Sequence, residues 1–167
     1  MKKSTMRQAL TAVVLAGAAV LATVAPASAD VRPTRPCAGS ELSVEIAEGY
    51  SPSPDTSRLF MIFLKGHDGV SCLLSGALDY IRFYDTSGRP LDVRFSDKYA
   101  VAPFEQVWVD DYRRAAVYIW TSVGSSGLPI GSMAFSVPTT PEVEMTAPWP
   151  SPVDGPLRIM KIMAPVS

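Results

Sequence analysis

The sequence predicts an all-β domain closed by one disulfide, and three observations carry that prediction. Apolar residues recur with a period of two through most of the chain beyond residue 40. Gly, Pro, Asp and Ser interrupt that rhythm at short intervals, as turns between short strands do. Two cysteines, Cys37 and Cys72, are the only ones in the chain.

Taken in order, Leu42, Val44 and Ile46 alternate with Ser43 and Glu45, the pattern of a half-buried strand. Tyr50 to Ser57 contains two Ser-Pro pairs and reads as a loop. Leu59 to Leu64 is wholly apolar and of strand length, which predicts a strand covered on both faces. Lys65 to Gly69 is a polar turn, and a brief strand runs from Cys72 through Leu74. Leu78 to Tyr84 is rich in aromatic and β-branched residues. The turn Asp85-Thr86-Ser87-Gly88 joins it to Leu91, Val93 and Phe95, so a hairpin is expected.

Val107 and Val109 mark the next strand. Between Ala115 and Val123, Ala115, Val117, Ile119 and Thr121 share one face and Ala116, Tyr118 and Trp120 the other. Both faces are mostly apolar, so this strand belongs in the middle of a sheet. Gly124 to Gly127 is a turn ahead of Met133, Phe135 and Val137, and Pro138 stops that run. Thr139 to Pro156 reads as a proline-rich bend holding the apolar pair Val143 and Met145, and Leu157 to Met163 as the last strand. Eight or nine short strands without a helix describe an antiparallel sandwich or barrel, the immunoglobulin-like β-sandwich first among them.

The amino end has a different character. Lys2, Lys3 and Arg7 precede an apolar run from Ala9 to Ala25 that ends at Pro26-Ala27-Ser28-Ala29, the three parts of a secretory signal. The expected organisation is a signal peptide over 1–29, cleaved after Ala29, a flexible lead-in over 30–36 and one sandwich domain over 37–167. A retained anchor is the alternative. Leu10 to Val24 falls short of the roughly 20 apolar residues that a spanning helix needs. The product is expected to be secreted or associated with the cell wall, without a membrane span once the signal is gone.

Cleavage leaves 138 residues with twelve basic and sixteen acidic side chains, a net charge of −4 before His67 is counted. That balance argues against nucleic acid or an anionic membrane as partner, both of which call for clustered Lys and Arg. The one adjacent basic pair, Arg113-Arg114, reads as the exposed edge of a strand. In an oxidising compartment Cys37 and Cys72 are economically assigned to one intramolecular disulfide, with free thiols or a metal pair as the rival.

Cys37 with Leu42-Ser43-Val44, then Ser71-Cys72-Leu73-Leu74-Ser75-Gly76 and Phe83-Tyr84-Asp85-Thr86-Ser87-Gly88-Arg89-Pro90-Leu91, resembles a family of exported actinobacterial domains of unknown function. The likeness runs on through Val101-Ala102-Pro103 to the strand around Leu157 to Pro165. It implies an immunoglobulin-like sandwich and export, and it lends no catalytic residue. Lys65-Gly66-His67 stands where the family has an asparagine, and Phe104 where it has a glycine. A second cysteine pair of the family is missing, which fits Cys37 pairing with Cys72 alone.

Chemistry-bearing residues are few. His67 is the only histidine and sits in a turn, and no serine stands in a Gly-x-Ser-x-Gly elbow, so no nucleophilic site is expected. Asp110 and Asp111, with Asp97 and Glu105 upstream, are candidates for acid chemistry or calcium, against the plainer reading of an exposed turn. Met133, Met145, Met160 and Met163 read as core packing in preference to copper ligands, with Met160 and Met163 on opposite faces. No metal or cofactor is assigned. The candidate binding residues are Trp149, between two prolines, with Tyr50 and Tyr112, which would stack on a sugar ring or anchor a protein; the plainer reading of Trp149 is that it folds back to cap the open end of the core. The expectation is a monomeric, non-catalytic binding module with a protein or glycan ligand. The alternative is a secreted hydrolase using acidic residues near Asp97 to Asp111.

Overall fold

A computed structural model describes residues 32–98, 104–124 and 127–166. The expected signal segment, the alanine-proline turn at 101–103 and the middle of the 124–127 turn lie outside the described residues. A short 3-10 turn at Gly39–Glu41 precedes β1 (Leu42–Gly49), β2 (Ser57–Gly66), β3 (Cys72–Leu74), β4 (Asp79–Tyr84), β5 (Pro90–Leu91) and β6 (Phe95–Lys98). Beyond these lie β7 (Val107–Val109), β8 (Arg114–Ser122), β9 (Ser132–Val137), β10 (Val143–Pro148) and β11 (Leu157–Ile159). The fold is all-β and sandwich-like.

One sheet runs in the order β1-β2-β8-β11-β6 and a second in the order β10-β9-β4-β5; β3 and β7 form a small third ladder. The two strands with apolar residues on both faces, β2 and β8, are interior strands paired over nine positions from Ser57 opposite Ser122 to Lys65 opposite Arg114. Alternation divides their side chains. Phe60, Ile62, Leu64, Val117 and Ile119 join the main core with Phe83, Met133 and Phe135 of the second sheet. Leu59, Phe63, Ala116 and Tyr118 form a smaller cluster on the opposite face. Each large apolar side chain withdrawn from water contributes about 1.5–3 kcal/mol before entropy is counted, so the layer between the sheets is the main source of stability.

Cys37 and Cys72 are bonded to each other, both buried, with Cα atoms 4.9 Å apart. The lead-in is held earlier than expected. Leu73 donates to the Arg35 carbonyl and Cys37 to the Leu73 carbonyl, and the Arg35 guanidinium takes both Glu41 carboxylate oxygens at 2.7 and 2.9 Å. Residues 35 and 36 therefore run alongside β3 as part of the small ladder, because the backbone groups of Leu73 on that side have no other strand to bond.

Three strand expectations need correction. The hairpin after β4 has a partner of only two residues, β5; Leu157 then donates to the Arg94 carbonyl and draws the chain into the other sheet as β6, parallel to β11. The proline-rich bend contains a six-residue strand, β10, which tolerates Pro148 because it lies at a sheet edge. The last strand ends at Ile159. Pairing with β8 resumes at Met163 opposite Ala116, one residue out of step, and such a slip exchanges faces. Met160 and Met163, expected on opposite faces, therefore both pack on the outer cluster while Ile162 turns inward.

Candidate functional site

Asp110 builds the turn between β7 and β8. Its carboxylate Oδ1 accepts the backbone N–H groups of Tyr112 at 2.8 Å and Arg113 at 2.6 Å, its Oδ2 accepts the Arg113 guanidinium at 2.8 Å, and its own N–H donates to the Arg113 carbonyl at 2.9 Å. Aspartate suits this position because a short carboxylate reaches the amides two and three residues on. Burial pushes the Asp110 carboxyl up, but the backbone donors of Arg113 and Tyr112 and the Arg113 guanidinium together outweigh it and hold the group below the usual carboxylate range. A carboxylate so occupied is a structural brace. Both of its oxygens are engaged within the turn, three donors in all, and it has no proton to donate at neutral pH.

The turn projects Tyr112 into solvent, where the residue is 89% exposed. Beneath it the Arg113 guanidinium carbon lies 3.7 Å from the centre of the Trp108 ring, and the Trp108 Nε1–H donates to Ser71 Oγ at 3.0 Å. The Arg114 guanidinium lies 3.6 Å over the Phe63 ring. An open cavity of ≈ 450 Å³ is lined by Gln106, Trp108, Tyr112, Arg113, Arg114 and Pro165. That volume is within the range of small-molecule sites. A second, smaller hollow at the far end of the sheet is bordered by Trp120, Thr121, Ser122 and Arg158.

Of the three candidate binding residues, Tyr112 lies in the larger cavity. Tyr50, 83% exposed, follows β1 at the opposite end of the sheet. Eight strand residues, about 25 Å of chain, separate those ends, so the two tyrosines do not converge. Trp149 is not an exposed residue. It is 5% exposed, with its ring centre 4.5 Å from that of Phe60 and 5.3 Å from that of Phe83. The cause is local: Trp149 donates its N–H to the Gly131 carbonyl at the end of the β10–β9 ladder, which turns the ring in between the two sheets. It caps the core.

His67 is exposed in the turn after β2 and donates its backbone N–H to the Glu41 carbonyl. The Asp97 side chain lies outside the described residues. Among the described residues no group of three or more His, Cys, Asp or Glu side chains gathers, and no helix is long and apolar enough to cross a membrane. Sequence reasoning missed Trp108, Gln106 and Pro165. The signal for Trp108 was present: in Val107-Trp108-Val109 the flanking valines take the core face and leave the indole to the other side. Pro165 carried none, because its place beside the cavity depends on the one-residue slip after Ile159.

No family model, curated protein or solved structure matches this chain. The groove itself brings together aromatic rings and guanidinium groups beside the exposed Tyr112 side chain.

Proposed function

We propose that this chain is an exported, non-catalytic module of the immunoglobulin-like sandwich type, secreted or wall-associated like the actinobacterial domains it resembles, and that it takes a glycan or protein ligand in the groove at the β7–β8 turn. One observation carries the reading: among the described residues no carboxylate engages Tyr112 or Arg114, and the cavity they line also holds Trp108, whose Nε1–H is fixed by Ser71, beside the hydrogen-bonded Asp110 turn. Pre-ordered aromatic and arginine side chains are what binding hot spots are made of. The buried disulfide supports an oxidising location. Against the hydrolase alternative stands the state of Asp110, held below the usual carboxylate range by three donors of its own turn where a general acid would need a raised pKa.

The test is an array of envelope glycans and peptides probed with the purified protein and two variants. Tyr112→Ala is expected to weaken the bound ligand by about tenfold or more, and Tyr50→Ala to leave it unchanged. The reverse order of effects would move the site to the other end of the sheet, and turnover of an arrayed glycan would revive the hydrolase.

A further inference from the structure

Resting on the binding-module reading above, we infer that the groove recognises a carboxylate-bearing sugar, a uronic acid unit of an acidic glycan, with Arg114 holding the carboxylate and Tyr112 stacking on the ring. The cation is the first part of the case. The Arg114 guanidinium carbon lies 3.6 Å from the centre of the Phe63 ring, a contact that holds the group in place, and among the described residues no carboxylate pairs with it. A fixed guanidinium fork matches the two oxygens of a carboxylate. Asp110, the nearby acid, has both oxygens occupied within its own turn, so it does not compete for Arg114.

The second part is the aromatic surface. Tyr112 offers a ring that is almost wholly free, whereas one face of Trp108 is already taken by Arg113. A pyranose presents a flat C–H face that packs against such a ring, and its hydroxyls suit the exposed amide of Gln106 across the same cavity. A peptide fits less well. Strand addition would have to use β7, which is three residues long, and the cavity is open to solvent and not closed around an anchoring side chain. The protein as a whole is acidic, so a cationic spot with a free arginine stands out as a local attraction for an anion.

The experiment is calorimetric titration of the purified protein with a four-unit oligogalacturonate, as the free acid and as its methyl ester, which keeps the rings and removes the charge. The acid is expected to bind with a dissociation constant of about 1 mM or tighter and the ester about tenfold more weakly. Added salt should weaken the acid alone. Arg114→Gln should bring the acid down to the level of the ester, Arg114→Lys should fall between, and Tyr112→Ala should weaken both forms. Melting temperature checks that each variant is folded. Equal binding of acid and ester, or tighter binding of an acidic tetrapeptide than of the oligogalacturonate, overturns the uronate assignment and leaves the module standing. Binding of neither sugar form, with Tyr112→Ala indistinguishable from wild type against every arrayed ligand, overturns both.

Discussion

Asp110 is the residue on which the groove's shape turns. Its folded-state pKa lies below the ordinary value, so the stability it contributes is present above the unfolded pKa near 3.9 and is lost as pH falls through the folded value. Asp110→Ala is expected to cost about 1–3 kcal/mol at pH 7, because three donors lose their acceptor. In urea melts the deficit should shrink between pH 5 and pH 2; a deficit constant over that range would contradict the ionised brace. Trp149 poses the opposite case. Its Nε1–H is buried without a hydrogen-bond partner, so the ring contributes by packing alone. Trp149→Phe should stay within about 1 kcal/mol of wild type while Trp149→Ala loses about 3–5 kcal/mol, as read from urea midpoints. Between its two prolines the residue reads either as a rim site or as a cap on the core, and a backbone bond to Gly131 decides for the cap.

At the level of elements, legibility followed the strength of the alternation. β1, β2, β8 and β9 were read within a few residues, because their in-and-out pattern is dictated by the core they line. β5, β10 and β11 depart from the sequence reading where proline or a one-residue slip breaks the period; β5 and β10 pair with their sequence neighbours β4 and β9, whereas β11 is settled by β6 and β8, distant in sequence. The candidate site shows the same limit: Tyr112 and the exposed Arg113-Arg114 pair were visible, but Phe63, fifty-one positions earlier, is what orients Arg114. The junction of β4 and β9 depends on a close backbone approach at Gly131. A Cβ there would lie 2.7 Å from the Asp85 carbonyl oxygen and 2.8 Å from the Thr86 Cα, both backbone atoms that cannot swing aside. Gly131→Ala is expected to destabilise by about 1–3 kcal/mol, measurable as a lower urea midpoint, with the Asp85–Arg89 turn displaced.

For the molecule as a whole, the disulfide ties the lead-in and the small β3–β7 ladder to the rest across 35 residues of sequence. The chain-entropy model assigns a loop of that size roughly 3–4 kcal/mol, a large share of the 5–15 kcal/mol typical of a domain. The Cys37→Ala/Cys72→Ala double variant is expected to lose about 2–4 kcal/mol in urea unfolding while keeping a β-type circular dichroism spectrum. A shift below 1 kcal/mol would mean that the Arg35–Glu41 pair and the backbone bonds to Leu73 already hold that corner.

The position of β11, a late segment lodged between β8 and β6, bears on how the chain is made. Until residues 157–159 have joined, one long edge of β8 is unpaired and β6 has nothing to which it can attach. Such an open edge invites pairing with a neighbouring chain. Completion of the barrier against self-association thus waits for β11 to dock.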